Sequence, residues 1–108
     1  MEIVNEKDKA SKDGVKYMIR GPHIDWGVIT LEPNQVMAKH LHQEVEETFY
    51  VIEGTVTFLL QEKEMDAPAG TALRMSPNEH HGLKNKTTNK AKLVFMKDIY
   101  RPNDKVAC

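Results

Sequence analysis

His40 and His42 stand two positions apart inside the apolar run Val36 to His42, so in a β-strand their imidazoles project from the same face. Two neutral imidazoles on one face can chelate a transition metal, but such a pair on its own more often packs or titrates at a surface. A metal site therefore needs more ligands. Glu47 follows His42 by five positions, an odd offset that would reverse its face in a straight strand, and a turn across Gln43-Glu44-Val45-Glu46 would bring it round again. Glu46 and Glu47 are neighbours, so one can face inward while the other faces solvent. A second cluster, His80-His81, comes after Ser76-Pro77-Asn78 and before Gly82, and only one of its two rings can share a face with His40 and His42. Alternation leaves both choices open. His23 has no partner at ligand spacing and reads as structural or exposed.

The elements that must carry these residues read as strands. Apolar runs of strand length recur, each closed by turn residues: Val15 to Ile19, Trp26 to Leu31, Val36 to His42, Thr48 to Glu53, Thr55 to Gln61, Thr71 to Met75 and Lys92 to Ile99. They favour Val, Ile, Thr, Phe and Tyr, and no window of helical length carries a 3.6-residue stripe. The chain reads as all-β, and many short strands at close spacing point to a sandwich or a barrel. With 108 residues, 40% hydrophobic and 29% charged, one domain is expected. Residues 1–13 read as a solvated arm or edge segment, and 14–108 as the barrel.

Charge excludes some function classes. A formal net charge of -1 with mixed signs offers no broad field for nucleic acid or anionic lipid. No run approaches the length of a membrane span, and Met1 to Ala10 is too charged for a signal-peptide core, so a cytoplasmic location is expected. Cys108 is the only cysteine, which rules out an internal disulfide and a sulfur-rich metal site.

The two histidine clusters resemble the two motifs of the cupin superfamily. The first motif is a glycine, five residues, His-x-His, three or four residues, a glutamate, six residues and a glycine. Asn34 to Gly54 matches it through His40-Leu41-His42, Glu47 and Gly54, with Asn34 in place of the leading glycine. Asn tolerates the same left-handed turn geometry. The second motif resembles Gly70 to Asn85, with Ser76 in place of a proline, Asn78 in place of a turn glycine, and His81 at the histidine position. The resemblance thus selects Glu47 over Glu46 and His81 over His80. It implies a double-stranded β-helix, or jelly-roll barrel, with His40, His42, Glu47 and His81 holding one divalent metal ion. Three imidazoles and one carboxylate suit Mn, Fe, Ni, Cu or Zn.

Function follows as expectation. The resemblance implies a metalloenzyme acting on a small oxygenated molecule, with oxygenase, isomerase, lyase and decarboxylase chemistry all represented among cupins. The alternative is a non-enzymatic small-molecule or metal-binding sensor barrel. Alternation puts Val36, Ala38, Phe49, Val51, Leu83 and Asn85 on the inner face and Met37, Lys39, Leu41, Tyr50 and Ile52 on the outer one. It argues against His80 and Tyr50, the candidate general acid or base if either comes inside, and places no Arg or Lys beside the ligands, which argues against a strongly anionic substrate. Apolar groups outside a barrel need a cover, either a second copy of the chain or Val15 to Ile19 folded over them; a homodimer is expected.

Overall fold

The computed structural model describes residues 1–108. Its strands are β1 (Val15–Arg20), β2 (Asp25–Leu31), β3 (Val36–Leu41), β4 (Glu47–Glu53), β5 (Thr55–Leu59), β6 (Glu64–Pro68), β7 (Ala72–Met75), β8 (His81–Lys84), β9 (Ala91–Lys97) and β10 (Val106–Ala107). They form two five-stranded sheets, ordered β1-β2-β9-β4-β7 and β10-β3-β8-β5-β6, with every pairing antiparallel. From β2 to β5 and again from β6 to β10 the chain changes sheet at each connection. That winding is the double-stranded β-helix.

Each sheet turns one apolar face inward, as the period of two requires. The core combines Ile29 and Leu31 of β2, Phe49 and Val51 of β4, Val56 and Phe58 of β5, and Leu93 and Phe95 of β9, all buried. Phe49 meets Phe58 edge-on across the sheets at 5.3 Å between ring centroids. Three strands, β6, β8 and β10, lie outside the apolar runs of the sequence. β6 is mostly exposed, β8 has only four residues, and β10 has two residues paired with the end of β3. The substituted turn positions behave as their chemistry allows: Asn34 and Asn78 both adopt left-handed backbone, at φ 68° and 70°.

Alternation fails along β3. Met37 pairs with Leu83 and His40 with His81, so Ala38 and Lys39 together oppose the single residue Gly82. This bulge shifts the face by one residue. Met37 consequently points into the barrel, while Val36 is 55% exposed and Ala38 is also exposed, the reverse of the expected order. The bulge depends on Gly82, because a Cβ there would lie 2.7 Å from the carbonyl oxygen of Met37 and 3.0 Å from the backbone nitrogen of Lys39.

Outside the barrel, Tyr50, Ile52 and Met96 remain 43%, 44% and 41% exposed on the adjacent strands β4 and β9. Val15 to Ile19 does not cover them, because β1 extends the same sheet at its far edge. The N-terminal arm crosses elsewhere. Its short 3-10 turn at Glu6–Asp8 is tied down by Lys92 Nζ, at 2.7 and 2.8 Å from the Glu6 carboxylate, and by Lys16 Nζ on the Glu6 carbonyl. No helix is long and apolar enough to cross a membrane.

Gly82→Ala forces its new methyl against backbone rather than a flexible side chain. A loss of about 2 kcal/mol or more is expected, as for overpacked interiors, read as a lower denaturant midpoint at unchanged slope. A wild-type midpoint would contradict the bulge.

Candidate metal centre

Two sheets contribute to one site. β3 ends at Leu41 and delivers His40 and, just beyond it, His42; β8 opens with His81; and β4 opens with Glu47 from the opposing sheet. The four residues present one ligand atom each within 4.8 Å of one another. His42, Glu47 and His81 are buried and His40 is partly so. Glu46 faces the other way, toward Arg74 at 3.5 Å, and His80 and His23 stand outside the cluster.

Hydrogen bonds fix how the rings present themselves. A carbonyl can only accept, so each Nδ1 carries a proton: His40 donates to Ala38 O at 3.2 Å, His42 to Asp104 O at 2.7 Å and His81 to Glu79 O at 3.1 Å. Nε2 is the ring nitrogen left over: in His42 and His81 it donates to Glu47 when it carries a proton, and in every ring it can bind an ion when it does not. Glu47 Oε1 lies 3.2 Å from His42 Nε2 and 3.0 Å from His81 Nε2. Ligands at right angles around an ion, each bonded at about 2.1 Å, stand about 3.0 Å apart, so the spacing of Glu47 from His42 and His81 fits a first-row divalent ion, and the donor types suit one. Ring orientation by backbone carbonyls is the usual outer support of such ligands.

The turn that brings Glu47 round is held from the far end of the chain. The Asp104 carboxylate accepts from the backbone N–H groups of Gln43, Glu44 and Val45 at 2.9, 2.8 and 3.0 Å, and Asp98 accepts from that of Glu46. Sequence reasoning found the turn but not Asp104, which lies 57 positions beyond Glu47 with no local signal. Asn85, at the end of the second motif, is fully buried and donates to Leu31 O and Asn89 O, so its part is to close a loop.

The cavity beside the four residues is about 90 Å³ and is lined also by Tyr17, Met37, Phe49, Lys97 and Lys105. The two lysines correct the expectation that none would stand near the ligands. Lys97 is an inward position of β9, and Lys105 reaches in from the segment before β10, a strand the sequence reading lacked. Tyr50, by contrast, points outward.

Electrostatics separate the ligands. Burial lowers the pKa of His40 to about 4, helped by His81 and Lys105 and opposed by its bond to Ala38 O. For Glu47 burial acts upward, but hydrogen bonds from His42 and His81 and the charge of Lys97 win, leaving it at about 2. Both folded values lie below the ordinary ones, so both contributions to stability are present above the ordinary pKa and lost on acidification. In metal-free protein, stability should fall first between about pH 6.5 and 4 through His40 and then between about 4.5 and 2 through Glu47. Denaturant melts across pH should show His40→Gln lacking the upper slope and Glu47→Gln the lower one, the latter on the order of 3 kcal/mol. Parallel wild-type and variant profiles would refute the assignment.

Comparison with known proteins agrees with this architecture. The chain resembles a Klebsiella pneumoniae protein with a double-stranded β-helix domain, at 18% identity over 100% of this chain and 98% of that one, TM-score 0.85. It resembles the polyketide cyclase RemF of Streptomyces resistomycificus at 20% identity over 99% and 84%, TM-score 0.82. A sugar phosphate isomerase of Silicibacter pomeroyi matches at 20% identity over 80% of this chain and 60% of that one, TM-score 0.71. At these identities the likeness is one of fold. A comparison with curated proteins finds no match. The sequence profile of the cupin domain matches residues 27–97, from β2 to the end of β9, and this chain belongs to the cupin family.

Proposed function

We propose that the chain is a mononuclear metal cupin in which His40, His42, Glu47 and His81 hold one divalent transition-metal ion, and that it acts on a small oxygenated molecule in the adjoining cavity. The observation that carries this reading is the tethering of all three Nδ1 atoms to carbonyls, which leaves three Nε2 atoms free for an ion in a cluster with one carboxylate whose ligand atoms lie within 4.8 Å of one another. When bound, such an ion supplies Lewis acidity toward an oxygen of the substrate.

The chain's own residues do the rest. Glu47 provides the single negative charge of the ligand set and is kept ionised by its two histidine partners and Lys97. Phe49, Met37 and Leu83 give the cavity apolar walls that limit water around the reacting atoms. Tyr17 holds a proton for use there: its oxygen accepts from Lys97 Nζ at 3.0 Å, so its own hydroxyl hydrogen is free to point toward a bound oxygen. Polyketide cyclase and sugar phosphate isomerase neighbours support an oxygen-rich substrate, and their differing chemistries show how little the fold alone restricts the reaction.

Elemental analysis of purified protein should find about one transition-metal ion per chain, and His42→Ala and His81→Ala should each lower metal affinity at least tenfold. Full stoichiometric metal in both variants would sink the assignment. We also infer that a second copy covers Tyr50, Ile52 and Met96, since these form one apolar stripe across adjacent strands. Light scattering should then return twice the 12.3 kDa chain mass, falling to the single value in Ile52→Lys. A monomeric wild type at micromolar concentration would exclude the dimer.

A further inference from the structure

The charges lining the cavity do not balance. Glu47 is its only carboxylate, while Lys97 and Lys105 both reach it. Lys97 is placed there by register: it lies opposite Glu47 on β4, so the two side chains share the inner face. On its other flank it lies opposite Asp25 on β2, but Arg20 occupies both oxygens of that carboxylate at 3.1 and 3.0 Å. Lys97 Nζ is left with the Tyr17 hydroxyl at 3.0 Å and the ring faces of Tyr17 and Phe95, 5.2 and 5.7 Å from their centroids. Neither Lys97 nor Lys105 belongs to an ion pair of the fold. An ammonium has three protons to donate, and a half-buried one with a single neutral acceptor is poised for an anion.

We infer that the substrate is a small organic carboxylate, its oxygens held by Lys97 Nζ and Tyr17 OH on the wall formed by β1 and β9, with Lys105 facing them from the C-terminal segment. This deepens the metal-cupin reading by naming its substrate class, and a divalent ion beside the one acidic ligand would raise the positive excess further. Size and donor type narrow the class. A cavity of about 90 Å³ has room for several waters, which suits a small acid. No arginine lines the cavity and the fold has no α-helix to turn an N-terminus toward it, so the usual forks and cradles for phosphate are missing. Two point charges and a phenol suit a carboxylate.

Glycolate and its neutral counterpart ethylene glycol separate charge from size. Each is titrated into zinc-loaded and chelator-treated protein, followed by amide chemical shifts, with zinc quantified in every sample. Glycolate should bind at least about tenfold more tightly than ethylene glycol with or without zinc, and Lys97→Met should lose about tenfold, as expected for a charge-assisted contact. Lys97→Arg should recover most of that loss. Lys105→Met, at an exposed position whose change leaves the barrel intact, should weaken glycolate severalfold and carries the test if Lys97→Met does not fold. Equal affinity for the two ligands, or unchanged glycolate affinity in both methionine variants, overturns the inference. Inorganic phosphate binding more tightly than glycolate overturns the carboxylate assignment. Failure to take up zinc with the glycolate preference intact would remove the metal reading alone.

Discussion

A buried carboxylate beside three imidazoles is the constraint on which the rest of this barrel depends. Taking Glu47 out of water between two apolar sheets costs several kcal/mol unless donors replace the lost hydration. The fold answers with His42 and His81 on one oxygen and with Lys97 as its cross-strand neighbour. Those rings in turn need fixed orientations, and each Nδ1 obtains one from a backbone carbonyl. No buried side-chain nitrogen or oxygen is left without a partner. The polar cluster is thus fully satisfied, which is the condition under which a buried network adds rigidity instead of instability.

That requirement explains two local departures from a regular jelly roll. The bulge at Ala38–Lys39 lets Met37 and His40 share the inner face, and only glycine at position 82 leaves room for it. The turn before Glu47 is irregular and would expose four backbone N–H groups, which Asp104 and Asp98 accept. The segment that supplies Asp104 also supplies the carbonyl that orients His42 and the side chain of Lys105, so one stretch of chain serves the turn, a ring and the cavity at once.

Much of this was legible in the residues and some of it could not be. Strand-length runs with period two gave the all-β class, and His40 and His42 two apart gave a same-face pair. Choosing Glu47 and His81 needed the motif resemblance, because neighbouring residues on a strand are equivalent to periodicity until the partner strand is known. Alternation puts Met37 on the wrong face because a bulge is a property of two paired strands, and nothing in Val36 to His42 announces that Gly82 will oppose two residues. Lys97 sits at the end of a run that was recognised, but its inward face follows from register with Glu47. Asp104 lies more than fifty positions from the turn it serves, and Lys105 as far from the histidines of β3 it stands beside; contacts at that separation leave no local pattern.

The four candidate ligands also span the two sheets, with the histidines on β8 and on or just after β3 and the glutamate on β4. An ion shared between them would therefore tie distant parts of the folded chain together, and because it binds the folded state alone its binding free energy would add to stability where no disulfide is available. It would also act as a gauge of sheet spacing. Ions of different radius would set the separation of β4 from β8 differently, and Phe49, which touches both His81 and Phe58 edge-on, would relay that change from the site into the core.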